Sequence, residues 1–186
     1  MKRIIFILCL VYILSGCSMQ NTSLDRAMRA RQELNNGVGC EFEAVVTADY
    51  GDSVYTFTLQ CTADSEGNIE FSVIDPASIS GISGQIANDK GSIVFDDKIL
   101  AFSMMADGYI TPVSAPWLFL KTFRGGYIHG CSSEESLTRL ILHDTYREEP
   151  LQVDIWMDET AIPVRADFLW KDRRILAMDV KNFRYL

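Results

Sequence analysis

The sequence predicts an α+β fold, in which a helix precedes an antiparallel sheet of roughly nine strands and a second, apolar helix is inserted. Residues 24–34 repeat apolar positions at helical spacing. Most later segments alternate apolar and polar residues, and turn sequences join them. The stretch APWLFLKTF, residues 115–123, is apolar on most of its surface. Together these patterns indicate one helix-covered antiparallel sheet.

The first residues have the pattern of an export signal. Lys2 and Arg3 precede an apolar run from Ile4, and this run ends in Leu14-Ser15-Gly16-Cys17. The run is roughly 11 residues long, too short for the roughly 20 that a spanning helix needs. The four residues ending at Cys17 resemble the lipobox of bacterial lipoproteins. Residues 1–16 are therefore predicted to be a lipoprotein signal peptide, with Cys17 as the lipidation site.

Two alternatives exist for this segment: an ordinary signal peptide with an incidental Cys17, and a buried strand. A buried strand leaves Lys2 and Arg3 unexplained.

With lipidation, residues 17–23 are the lipidated N-terminus and a polar tether. Stable anchoring takes about two lipid signals, and a diacylglyceryl group supplies two chains. We therefore expect a lipid-anchored protein on the extracytoplasmic face of the cell membrane.

The composition indicates a single acidic domain. The chain carries 17 basic and 25 acidic residues, a formal charge of −8, and losing Lys2 and Arg3 makes it −10. Nucleic acid is a poor partner for such a surface, so no nucleic-acid binding is expected. Residues 24–186 are long enough for one domain with a full core. The 10 Phe, 7 Tyr and 3 Trp suggest a thick core or a lined cavity. The composition is compatible with a monomer or a homodimer.

Residues 24–34 are predicted to form the first helix. Leu24, Ala27, Met28 and Leu34 share its apolar face, and Ser23 is suited to cap its N-terminus. Asn35-Asn36-Gly37 provides the expected end.

Three strands are then expected at residues 40–50, 53–61 and 68–74, because each alternates apolar with polar residues. Turn residues separate them. Residues 75–91 are small and polar, and they are predicted to form a flexible or short-helical crossing. Two short strands follow, at residues 92–97 and 99–105.

The second helix is predicted after Pro116, a residue suited to a first helical turn, and before Gly125-Gly126. Four strands complete the chain. They correspond to the segments SLTRLILHDTY, LQVDIWMD, AIPVRADFLWKD and RRILAMDVKNFRYL.

Three cysteines remain once Cys9 and Cys17 are set aside. If Tyr50 and Gly51 are the central turn residues, Cys40 and Cys61 face each other across the first hairpin. A cross-strand disulfide is then geometrically feasible, and two buried free thiols are the alternative, because a one-residue slip removes the pairing. Cys131 is expected to stay reduced.

The sequence predicts no catalytic residues, no metal site and no cofactor. His129 and His143 are the chain's two histidines, but no nucleophile motif such as G-x-S-x-G accompanies them. No metal-binding spacing of histidines or cysteines is found, and no phosphate-binding loop follows a strand. We therefore expect a binding protein and not an enzyme.

The order of these segments resembles the LolA/LolB/LppX superfamily of bacterial envelope lipoproteins. The resemblance rests on the lipobox, the first helix, the strands around Phe42, Phe57 and Phe71, the APWLFLKTF helix and the closing strand pair PVRADFLWKDRRILAMDVKNF. It covers most of residues 24–186 and implies a single LolA-like domain, a curved half-open barrel closed by helices. Within the same superfamily, Firmicute spore-germination lipoproteins that bind a cell-wall amidase resemble this sequence at least as closely as the lipoprotein-sorting proteins do. The cationic cavity residue of the Gram-negative carriers has no assigned equivalent here.

Two functions follow. In the first, the protein binds a hydrophobic ligand, an acyl chain or a lipoprotein, in a cavity on the concave side of the sheet. The expected lining residues are Phe57, Leu59, Phe71, Val73, Phe95, Phe102 and Trp117. The same residues also suit plain packing of the sheet on its helices. In the second, the protein is a non-enzymatic adaptor for another envelope protein, such as a peptidoglycan hydrolase.

Overall fold

One open antiparallel sheet of eleven strands dominates the structure, a computed structural model that describes residues 22–95, 98–102, 105, 106, 109–146 and 148–186. The predicted signal peptide, residues 1–16, and Cys17 lie outside the described residues. The strands of the sheet are β1 (Gly39–Asp49), β2 (Val54–Asp64), β3 (Ile69–Asp75), β4 (Ser83–Ala87), β5 (Lys90–Phe95), β6 (Lys98–Phe102), β9 (Tyr127–Glu134), β10 (Leu137–His143), β11 (Gln152–Met157), β12 (Pro163–Trp170) and β13 (Arg173–Tyr185). A separate hairpin contains β7 (Met105–Ala106) and β8 (Tyr109–Ile110).

The strand order is β6-β5-β4-β3-β2-β1-β13-β12-β11-β10-β9, so the first and last strands pair in the middle and β6 and β9 form the two edges. Sequential hairpins build each half outward from the β1–β13 pair. The sheet does not close, and with two covering helices the fold is the α+β, curved half-open barrel that the sequence predicted.

Two helices cover the inner face, which we define as the face that carries the buried residues. They are α1 (Thr22–Asn36) and α2 (Ala115–Gly125), and a 3-10 turn (Pro112–Ser114) precedes the second. Arg31 of α1 donates hydrogen bonds to the carbonyls of Phe123, at 2.7 Å, and Gly126, at 2.8 Å, and so fastens α1 to the end of α2. Burial lowers the pKa of the Arg31 guanidinium.

The core lies between the helices and the inner face. Phe42 of β1 is fully buried, with its ring centroid 5.9 Å from that of Phe119 on α2 and 5.7 Å from that of Phe183 on β13. Alternate residues of β1 are buried in the same way. Apolar burial of this kind is the main stabilising contribution to such a domain.

The structure has two more strands in the sheet than predicted, β4 and β9. Residues 75–91 were expected to form a flexible or short-helical crossing, yet β4 occupies part of this segment. Gly84 of β4 lies against Phe71, and a Cβ at this position would be 2.5 Å from Phe71 Cζ. Because Gly84 must be small to leave room for the Phe71 ring, β4 lacks the alternation of apolar and polar residues by which a strand is recognised in a sequence.

The predicted register of the first hairpin is wrong by two residues. Asp49 pairs with Val54, so the loop has four residues, and Cys40 pairs with Ala63 while Cys61 pairs with Phe42. The loop is held by the Asp49 carboxylate, which accepts the Gly51 N–H at 2.8 Å, and by a φ of +89° at Gly51. Cys40 and Cys61 are therefore diagonal neighbours, and both are free thiols in the structure.

Candidate functional site

Two side chains of helix α2 contact the turns at one end of strands β2–β5. Arg124 donates a hydrogen bond to the Asp64 carbonyl, at 3.4 Å, in the turn between β2 and β3. Lys121 forms a 3.0 Å ion pair with Asp89 in the turn between β4 and β5, and its ammonium lies 4.4 Å from the ring centroid of Trp117. We call this the capped end.

The turn that receives Arg124 is ordered by Asp64. Its carboxylate accepts hydrogen bonds from the backbone N–H groups of Glu66 and Asn68, both at 2.9 Å, and from Asn68 Nδ2 at 2.8 Å. Burial alone raises the pKa of Asp64, but these hydrogen bonds stabilise the carboxylate more strongly, so its pKa lies below the ordinary value. The capped end is thus a defined hydrogen-bonded surface.

Large apolar side chains are exposed at the opposite end of the same strands. Tyr55 of β2, Phe95 of β5 and Leu100 of β6 are 56%, 57% and 58% exposed. We call these three residues the apolar rim. Three exposed large apolar side chains on one face and at one end of the sheet make this end a candidate interaction site.

The rim continues the inner face of the sheet. Tyr55 pairs with Ala48, which is fully buried, and Leu100 pairs with Ile93, which packs against the core. Phe95 lies two residues beyond Ile93 on the same strand and therefore points to the same face. An apolar ligand on the rim would thus extend the existing core surface.

The structure brings most of the predicted lining residues together, but it buries them. Five belong to the closed core, with exposures between 0% and 9%: Phe57, Leu59, Phe71, Val73 and Trp117. Phe102 is half-buried at the capped end, where its ring lies within 2.4 Å of a Cβ built on Gly91. Phe95 alone of the seven presents its ring largely to solvent.

Tyr55 and Leu100 were missed as site residues. Leu100 has the same strand parity as Phe102, so alternation along β6 could have placed it on the inner face. The exposure of Leu100 could not be predicted from alternation, because it depends on which end of the sheet the helices contact.

The outer face of the same strands has a different surface. A shallow cavity of about 470 Å³ lies across β2–β6 and is lined mainly by polar side chains, with two apolar ones at the β6 edge. These lining residues include Gln60, Thr62, Ser72, Gln85, Val94 and Ile99. Ile99 is 74% exposed and lies on β6, which pairs only with β5 among the described strands.

Within the described ranges, no group of three or more His, Cys, Asp or Glu side chains is gathered for a metal ion. His129 and His143 lie together on β9 and β10, away from the rim. The described helices are also too short or too polar for any of them to cross a membrane.

No protein-family model matches the chain, and no curated protein matches it either. Several solved structures do match the chain. A LolA superfamily protein from Nitrosomonas europaea is 11% identical, with a TM-score of 0.44, over 85% of this chain and 92% of the other.

The lipoprotein LppX from Mycobacterium tuberculosis is 10% identical, with a TM-score of 0.42, over 87% of this chain and 93% of the other. A protein from Thermus thermophilus is 12% identical, with a TM-score of 0.48, over 89% and 86%. Likenesses this remote assign neither ligand nor activity. The solved structures to which this chain is similar thus include a LolA superfamily protein and the lipoprotein LppX.

Proposed function

We propose that this protein is a lipid-anchored, extracytoplasmic lipoprotein that binds an acyl chain at the apolar rim. The observation that carries the proposal is the exposure of Tyr55, Phe95 and Leu100 at the uncapped end of the inner face. The proposed anchor is Cys17 of the sequence Leu14-Ser15-Gly16-Cys17.

Covering the rim is energetically favourable. Burying a Leu or Phe side chain contributes roughly 1.5–3 kcal/mol. An acyl chain has no polar groups to satisfy, so it can lie against such a surface without a defined set of hydrogen-bond partners. The half-buried Ile93 offers a continuation toward the interior.

Photolabelling in native envelopes tests this site. A photoreactive, alkyne-tagged fatty acid is expected to label peptides that contain Phe95 and Leu100. A double variant, Phe95→Ser with Leu100→Ser, should reduce labelling at least about tenfold, since 1.4 kcal/mol corresponds to tenfold in affinity.

Val38→Ser is the matched control, because Val38 is 74% exposed but lies between α1 and β1, outside the rim. Equal labelling of the wild type, the double variant and this control would refute the site. The anchor is tested separately. Incorporation of alkyne palmitate should disappear in Cys17→Ala, and incorporation that persists in this variant would exclude Cys17 as the lipidation site.

A second candidate is a non-enzymatic adaptor that binds another envelope protein, such as a peptidoglycan hydrolase. The outer edge of β6, which pairs with no other strand in the described part of the chain, favours it, and Ile99 is exposed there beside the polar outer cavity. An added strand would pair with the free backbone groups of this edge, and side-chain pockets would supply specificity. A photoreactive amino acid at position 99 should then crosslink one protein in stoichiometric yield, whereas the same group at position 38 should not.

A further inference from the structure

Two glycines on the inner face of neighbouring strands lie beneath phenylalanine rings. Gly84 of β4 pairs with Phe71 of β3, and a Cβ built on Gly84 would be 2.5 Å from Phe71 Cζ. Gly91 of β5 pairs with Phe102 of β6, and a Cβ built on Gly91 would overlap three atoms of the Phe102 ring. Each ring therefore occupies a slot in the face that exists only because glycine has no side chain.

The two rings differ in how freely they can move. Phe71 is 3% exposed and belongs to the closed core. Phe102 is half-buried and lies on β6, which pairs only with β5 in the described part of the chain. Its ring can therefore rotate away from Gly91 without displacing a neighbouring strand. Of the two slots, the one over Gly91 is thus the slot that can open.

The slot over Gly91 connects the apolar rim with the core. Leu100 lies two residues before Phe102 on β6 and so shares its face. On the other side, Gly91 pairs with the fully buried Ile86. Ile93, two residues further along β5, is half-buried against the core. The path from the rim over Gly91 to Ile86 is therefore lined by side chains without polar groups.

We propose that the Phe102 ring is a gate, which an unbranched acyl chain displaces when it passes from the rim into the slot over Gly91. The inference rests on the proposed function, because it takes the ligand at the rim to be an acyl chain. A ring lying flat and an extended methylene chain are each one carbon layer thick, about 3.5–4 Å. The chain can therefore take the place of the ring, whereas a methyl-branched chain is too wide. Phe102 thus selects the shape of the chain, and the rim supplies contact area.

The gate weakens apparent binding, because the ligand competes with the packing of the ring. Where the open form is a minor species, the apparent dissociation constant is the intrinsic constant divided by the open fraction. An open fraction of about one tenth makes binding about tenfold weaker. Removing the Phe102 ring should therefore strengthen binding, whereas removing a rim side chain should weaken it. This difference in sign distinguishes a gate from a contact residue.

Photolabelling of the full-length protein in nanodiscs, with increasing concentrations of photoreactive palmitate, tests the gate. Phe102→Ala should lower the apparent dissociation constant about tenfold, and Phe102→Trp should raise it because the larger ring fills the slot. Tyr146→Ala is the matched control, since Tyr146 is an aromatic residue that is 83% exposed in the β10–β11 loop, and it should leave the constant unchanged. Methyl-branched phytanate should compete with the probe at least about tenfold less effectively than palmitate does.

Fluorine NMR follows the ring itself without truncating it. With 4-fluorophenylalanine at position 102, the resonance should move toward its solvent-exposed value when palmitate is added. With the same label at position 71, where the ring is enclosed in the core, the resonance should stay in place. If thermal unfolding shows that Phe102→Ala is not folded, the resonance at position 102 decides the question.

The proposal is overturned if folded Phe102→Ala binds palmitate no more tightly than the wild type, if palmitate moves both resonances or neither, or if phytanate competes as well as palmitate. The acyl site of the proposed function survives these results as long as the double variant of Phe95 and Leu100 still weakens labelling. Absence of labelling in the wild type would overturn the acyl site and the gate together.

Discussion

Asp154 is the most informative position for a stability test, because its carboxylate is buried in an ionic contact on the outer face. Its side chain is 2% exposed and accepts hydrogen bonds from Arg139 Nη2, at 2.5 Å, and from Gln152 Nε2, at 2.9 Å. Substitution by alanine removes both bonds and leaves Arg139 facing the vacated space. The hydrogen bond that Arg139 donates to Asp154 also raises the pKa of the Arg139 guanidinium.

The expected loss follows from this geometry. Removing one partner of a buried ion pair destabilises a protein by roughly 3–5 kcal/mol. Here the Arg139 side chain is 30% exposed, and its Nη1 keeps a 2.9 Å contact with Glu134, so water and Glu134 stabilise the remaining charge. We therefore expect Asp154→Ala to lower the free energy of unfolding by about 2–3 kcal/mol.

Urea unfolding followed by circular dichroism measures this change, with the midpoint and slope treated by linear extrapolation. The matched control is Glu149→Ala, which breaks an exposed ion pair. The side chains of Glu149 and Lys171 in this pair are 57% and 59% exposed. Exposed pairs contribute about 0–1 kcal/mol. If Asp154→Ala is no more destabilising than Glu149→Ala, the buried carboxylate does not stabilise the sheet and the reasoning fails.

Two further predictions concern the β1–β4 region. Gly84→Ala should destabilise the protein by about 1–3 kcal/mol, because the new Cβ would lie 2.5 Å from Phe71 Cζ. Gly125→Ala is the control: a Cβ there would have no atom within 4 Å, so its unfolding midpoint should stay close to that of the wild type. Equal unfolding midpoints for the two variants would contradict the prediction. Burial raises the pKa of the Cys40 thiol to about 12 and also raises that of Cys61, so at pH 8 iodoacetamide should alkylate both cysteines only after unfolding in urea without reductant. Labelling of the native protein would contradict their burial, and absence of labelling in urea would indicate a disulfide.

Regular alternation made the central strands predictable. Along β1, Phe42, Ala44 and Val46 point inward and the residues between them outward, so both the strand and its buried face follow from the sequence. Strand β9 was missed because none of its eight residues is fully buried and a bulge interrupts it. An edge strand without a covered face has no apolar period to detect.

The candidate site likewise combines features that sequence periodicity predicts with features that depend on long-range contacts. Phe57, Leu59, Phe71 and Val73 were correctly placed on one apolar face by their spacing, but their burial and the exposure of Phe95 depend on where α2 contacts the sheet. The wrong register of Cys40 and Cys61 arose from the loop, whose length is set by the Asp49 side chain and the left-handed φ of Gly51. Such contacts are specific to one turn and leave no periodic signal.

The sequence by itself determined the fold class, the order of most elements and the inward-facing residues, because these depend on local periodicity and on the composition of turns. The export signal and the lipidation of Cys17 are predictions from linear motifs, and they too come from the sequence alone. Only the tertiary structure decided that the apolar rim is exposed, and only the β9–β10 pairing, with its one-residue bulge, brought His129 against His143. Both arise from long-range packing and register, in which residues distant in sequence become neighbours.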